Sequence, residues 1–309
     1  MKTLVEYLTD YMDHQKALNF SRYTIRHSRY CVGVFLRWFS ERYQHDRPDQ
    51  LRVIHLRAWQ KQLSERTTWK GAMLKSRSIN KHVETMNGFL RHLATEGLVS
   101  RPLAEVLEYV KEPVFLPGSV LSHEQARKLM EQVNTDTPDG YRLRAMLEVL
   151  YSSGIRVAEL LGLDIGEVDF KNATARVLGK GMKERMVPIG RTALQYLESY
   201  LRAVRPLLVK DSGEKALFVD FDGKRFPYHT FRRLIKACAK KAKLDICVTA
   251  HTFRRSCATE LLRGGANMYH VKELLGHESL ETLKHYAKLT ITDLKATHAK
   301  CHPRENDGR

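Results

Sequence analysis

His251 and Arg254 lie three residues apart in AHTFRRSCATELL, at the start of a segment with helical periodicity, so both side chains fall on one face. An imidazole beside a fixed guanidinium, near a helix N-terminus, suits the binding of an oxyanion. Arg156 follows Ser152-Ser153-Gly154-Ile155 at the end of an apolar helix and leads straight into Val157-Ala158-Glu159-Leu160-Leu161. An arginine planted between two apolar runs is oddly placed for solubility; it reads either as a site residue or as a structural ion pair with Glu159. Lys180 sits at a hairpin tip between Gly179 and Gly181, and alone it reads as an exposed turn lysine. His277 follows Gly276 in a loop between two helices. Tyr286 comes nine residues later in LKHYA, where a single tyrosine is ordinarily a packing residue.

Two other chemistries fit less well. Cys247-x3-His251-x5-Cys257 offers three candidate ligands for zinc, but the spacing matches no common motif and two of the three share one helix. Gly179-Lys180 is not a phosphate-cradling loop, because Thr174 stands where that motif requires a glycine. The five cysteines (31, 238, 247, 257 and 301) are odd in number and irregularly spaced, which predicts free thiols and a cytoplasmic, reducing setting. No cofactor or metal is expected.

The elements that must position these residues fall into two regions. Up to residue 108 the periodicity is helical almost throughout: Leu4, Tyr7, Leu8 and Tyr11, then a break capped by Ser21, then Ile25 to Phe39, Leu51–Leu63 and Ser78–Leu93, closed by Gly97. That pattern predicts a bundle of four or five helices. KEPVFLPG, residues 111–118, has two prolines, a glycine and no period, and reads as a linker. Beyond it, Ser122 and Gln125 form a capping box, and Tyr141–Ser152 is an apolar helix. Ala173–Leu178 and Glu184–Ile189 read as a hairpin, and helices are expected at Thr192–Ala203, His229–Ala242, Thr252–Leu262, Met268–Leu275 and Leu280–Tyr286.

Composition narrows the class of partner. The 309 residues carry 52 Lys+Arg against 35 Asp+Glu, a net +17. Nineteen basic and 12 acidic residues lie before position 113 (+7), leaving 33 and 23 (+10) for the rest, so both regions are positive. A polyanion touching both regions explains this better than a membrane surface, for which no concentrated basic amphipathic anchor exists. No apolar run is long enough to span a bilayer, and the acidic N-terminus is unlike a signal peptide.

Taken together, Arg156, Lys180, His251, Arg254, His277 and Tyr286 resemble the signature of the tyrosine recombinase (phage integrase) family in its Xer-like, two-domain form. Four blocks carry the likeness: SSGIRVAELLGL, GKGMKERMVPIG, AHTFRRSCATELLRGGA and LLGHESLETLKHYAK. Lys180 is 24 residues after Arg156, His277 is 23 after Arg254, and Tyr286 is 9 after His277. SRYTIRHSRYCVGVFLRWF and SINKHVETMNGFLRHLATEGLVSRP are similar to the family's helical DNA-binding domain. Arg255, where many relatives have histidine, and Ala250, where many have proline, depart from the pattern at positions that are not catalytic.

The resemblance implies a mainly α fold with a small β-sheet: a helical core DNA-binding domain (1–110), a linker (111–118) and a mixed α+β catalytic domain (119–309). Its C-terminal tail would dock on a neighbouring protomer or fold back on its own domain. The implied activity is site-specific recombination of double-stranded DNA through a 3′-phosphotyrosyl intermediate, for dimer resolution or mobile-element integration and excision. Tyr286 would be the nucleophile, His251 its proton acceptor, Arg156 and Arg254 the phosphate clamp, and Lys180 the general acid. His277 would orient the phosphate, and Glu159 would brace Arg156. A homo- or heterotetramer on two DNA sites is implied, with a possible accessory protein. The rival from another class is a basic DNA-binding protein without catalysis, or one with topoisomerase-like relaxation only.

Overall fold

The computed structural model describes residues 2–68, 71–113, 120–179 and 183–276, which form two compact units, Met1–Val114 and Phe115–Arg309. Among the described residues no helix is long and apolar enough to cross a membrane.

The first unit contains α1 (Leu4–Ala17), α2 (Arg22–Tyr43), α3 (Val53–Glu65) and α4 (Ser76–Thr95). Local chemistry sets their starts. Thr3 and Glu6 satisfy each other's backbone N–H groups at α1, and the Ser21 side chain accepts from the Thr24 N–H at α2. The helices bury Phe35, Phe39, Trp59 and Phe89 in one core. After α4 the chain turns at Gly97, whose φ of +71° suits a residue without Cβ. Side chains then tie the exit segment down: Gln60 on α3 bonds the Glu108 carbonyl, and Asn80 on α4 exchanges two bonds with the Val110 backbone. These bonds keep the chain with the first unit as far as Val110. The expected linker spans the division between the units, and 114–119 lie outside the described residues.

The second unit opens with α5 (His123–Met130), where Ser122 and Gln125 form the expected capping box. Next come α6 (Pro138–Ser153), α7 (Val157–Gly162) and an antiparallel sheet in the order β1 (Val168–Asp169), β2 (Thr174–Leu178), β3 (Glu184–Pro188). The two residues of β1 carry no detectable period and were not foreseen. Then come α8 (Arg191–Ser199), a π turn (Tyr200–Val204), α9 (Arg205–Leu208), α10 (Tyr228–Lys241), α11 (Ala250–Arg263) and α12 (Met268–Leu275).

The single helix expected at Thr192–Ala203 is thus interrupted. Pro206 has no N–H for the Arg202 carbonyl, and the backbone passes through the wider turn just before it. α6 is the spine of this unit: Met146, Leu147 and Leu150 are fully buried in one core with Leu160, Val187, Phe231 and Phe253. The helix expected at Leu280–Tyr286 lies outside the described residues, as does the C-terminal tail.

Candidate active site

The site begins where α6 stops. Gly154 takes φ +62° and its N–H still bonds the Leu150 carbonyl, so the chain leaves the helix sharply. Buried Ile155 anchors the turn, and Arg156 becomes the residue that starts α7. Three residues on, Glu159 reaches back: its Oε2 accepts the Arg156 backbone N–H at 2.7 Å and its Oε1 accepts Arg156 Nη1 at 2.8 Å. Arg156 Nη2 donates to the Gly276 carbonyl at 2.9 Å. The ion pair that the spacing allowed is therefore present, and it holds the guanidinium by two edges while its side chain stays 36 % exposed.

Glu159 has a second cation. Arg185 on β3 sets its fork on the same carboxylate, Nη1 to Oε1 at 2.9 Å and Nη2 to Oε2 at 2.8 Å, and its Nε donates to the Leu274 carbonyl at 3.1 Å. Burial pushes the Glu159 carboxyl up, but the hydrogen bonds from Arg185 and Arg156 outweigh it and leave the group below its ordinary value, hence ionised.

Arg254 comes from α11, which starts at Thr249 with reciprocal Thr249 and Thr252 caps. Its side chain is buried, with 2 % of the residue exposed. The guanidinium donates to the Gly154 carbonyl through Nη1 at 2.7 Å and to the Leu275 carbonyl through Nη2. It thereby joins the ends of α6 and α12 to α11.

His251, one turn earlier, is exposed at the rim of the site. Partial desolvation lowers its pKa from the ordinary imidazole value, and the charges of Arg255, Arg254 and Arg156 act in the same direction. Its ring is thus biased toward the neutral form, which can accept a proton. The Cys257 thiol donates to the Ser152 carbonyl at 3.6 Å, and burial pushes it up to about 11.

Two glycines make the close approach possible. A Cβ on Gly154 would lie 2.9 Å from Leu275 Cδ2 and 3.1 Å from Cys257 Sγ; one on Gly276, at φ +61°, would lie 3.0 Å from Arg185 Cζ. Gly154→Ala is expected to destabilise the second unit by about 2–4 kcal/mol, from left-handed strain and overpacking together. A lowered urea midpoint with an unchanged slope measures it.

The structure thus brings Arg156 and Arg254 together, with His251 beside them. Lys180, His277 and Tyr286 lie outside the described residues. The described chain next to two of them reaches the network. Gly179, before Lys180, bonds the Lys183 carbonyl at 2.8 Å, and a Cβ on it would lie 3.3 Å from Arg185 Nη1. Gly276, before His277, carries the carbonyl that Arg156 uses.

Arg185 is the residue sequence reasoning missed. Strand alternation held the signal: Val187 points to the core, so Arg185, two residues earlier, shares its face and must find a buried partner there.

Comparison with known proteins shows the family. A family model described as the phage integrase family matches residues 119–292. The chain is 38% identical over 232 residues to tyrosine recombinase XerD of Pseudomonas aeruginosa, covering 74% of this chain and 77% of that protein. It is 32% identical to XerD of Lacticaseibacillus casei over 98% of this chain and 100% of that one. In fold it is similar to the Tn1549 transposon integrase solved with a circular intermediate DNA, with a TM-score of 0.72 at 16% identity over 97% of this chain and 99% of that one. The chain belongs to the phage integrase family and is a tyrosine recombinase, an enzyme that cuts and rejoins DNA strands in site-specific recombination.

Proposed function

We propose that Tyr286 is the nucleophile and that Arg156, Arg254, His251, Lys180 and His277 form its site on a double-stranded DNA phosphate. The observation that carries this is the pair of held guanidiniums where the ends of α6 and α12 meet α11, Arg254 on the Gly154 and Leu275 carbonyls and Arg156 on the Gly276 carbonyl and the Glu159 carboxylate. Fixed donors of that kind stabilise charge that develops on the non-bridging oxygens as phosphorus becomes pentacoordinate, with little reorganisation at the moment of reaction.

In the forward step the Tyr286 oxygen bonds phosphorus and the bond to the 5′-oxygen breaks. His251 takes the phenolic proton and Lys180 gives one to the departing 5′-oxygen. The phosphotyrosyl link conserves the energy of the broken bond, so the 5′-hydroxyl of a partner strand can reverse the step. Two guanidiniums and a lysine bring the positive charge that a divalent ion would otherwise supply. His277 orients a phosphate oxygen, and Glu159 braces Arg156.

Both units carry positive charge, +7 and +10, which supports their binding the same duplex mainly through phosphates. Strand exchange joins two duplexes, each cut at two positions, so the working assembly is a tetramer. The free buried thiols of Cys31, Cys238 and Cys257 fit a cytoplasmic setting. A nicked duplex that loses its short 5′-hydroxyl fragment on cleavage tests the chemistry. Wild-type protein on its cognate site should give a denaturation-resistant protein–DNA adduct, and a tightly bound duplex that is never trapped would overturn the reading.

A further inference from the structure

We infer that Arg185 is a positioning residue for strand cleavage, setting the Arg156 guanidinium through the carboxylate of Glu159. The inference rests on Arg156 being the phosphate clamp. Four observations lead to it. Arg185 keeps only 15% of its side chain exposed and occupies both oxygens of Glu159 in a two-point fork. Glu159 Oε1 is shared between Arg185 and Arg156, so the carboxylate cannot rotate toward one without leaving the other. Arg185 also holds the Leu274 carbonyl, two residues before the Gly276 carbonyl that receives Arg156. Finally, Gly276 lies against its guanidinium, so closely that a Cβ there would come within 3.0 Å of Arg185 Cζ and Nε and make them give way.

Arg185 therefore controls both supports of Arg156, the carboxylate on one edge and the carbonyl on the other. Without it, Glu159 would keep one side-chain cation and the α12 end would lose its tie to β3. Arg156 could then pair more tightly with the carboxylate and leave the orientation a phosphate requires. Misplacement of a catalytic group by about an ångström costs on the order of 100-fold in rate.

The test is single-turnover cleavage of the nicked duplex at saturating protein, with duplex affinity and melting temperature measured alongside. Arg185→Gln should bind within about twofold of wild type and cleave roughly 100-fold more slowly. Arg185→Lys restores charge but not the fork, and should remain slower by about tenfold or more. In an Arg156→Ala background, Arg185→Gln should add less than about threefold, because the residue it acts through is gone.

Should Arg185→Gln fail to fold, Arg185→Lys carries the same comparison. Full effects that multiply in the double variant, complete rescue by lysine, or wild-type cleavage by a folded glutamine variant would each overturn the inference. Failure of the underlying recombinase reading looks different: the wild-type protein itself would form no adduct.

Discussion

Tyr286→Phe is expected to bind the cognate duplex like wild type and to form no covalent adduct. The change deletes one oxygen, which in the proposed mechanism is the atom that becomes esterified to the DNA. A free phenol titrates near pH 10, so at neutral pH the hydroxyl needs a proton acceptor and nearby positive charge to attack. The variant keeps both, namely a His251 biased toward its neutral form and the Arg156 and Arg254 cations. What it lacks is the nucleophile. In the proposed binding mode affinity comes from the many basic side chains spread over both units, and the tyrosine oxygen adds no charge to them. Mobility shift under native conditions and adduct formation after denaturation separate the two quantities. An undiminished adduct from the phenylalanine variant would remove Tyr286 from the mechanism and send the search to another hydroxyl.

The second large effect is expected at Arg254. In the proposed mechanism, truncation to alanine removes a donor aimed at the transition-state oxyanion, a loss of about 3–4 kcal/mol or roughly 10²- to 10³-fold in the cleavage step. It also leaves the buried Gly154 and Leu275 carbonyls without their guanidinium partner, at about 1–3 kcal/mol each. Alanine therefore reports on stability and chemistry together.

Arg254→Lys separates them. The ammonium can still reach one carbonyl and keeps the positive charge, so its melting temperature should fall less than that of the alanine variant. Its single donor point cannot reproduce the planar fork, so cleavage at saturating protein should still fall by roughly 100-fold. A lysine variant that cleaves at the wild-type rate would make Arg254 a general cation in the site and not a geometric clamp.

Much of the scaffold was legible because its causes are local. The Ser122–Gln125 capping box, the Ser21 cap, the turn at Gly97 and the β2–β3 hairpin all depend on residues close together in the chain. The possible Arg156–Glu159 pair, three residues apart, was legible for the same reason. The interruption at Tyr200–Val204 was harder to see, since apolar residues continue at helical spacing from α8 through the π turn into α9 and only Pro206 marks the change. The role of Arg185 was not legible because its partners sit on α7 and α12, 26 and 89 residues away in the chain.

By itself the order of residues determined the family signature, the helical character of both regions and the charge that fits a polyanion, because spacing, caps and net charge are properties of the chain alone. Only the tertiary structure decided how the cations are held. The bonds concerned join residues 89, 100 and 120 positions apart: Arg185 to Leu274, Arg254 to Gly154 and Arg156 to Gly276. Such bonds exist only once α6, α11, α12 and the sheet have packed, since burial of their apolar faces brings those carbonyls within reach and removes the water that would otherwise solvate them.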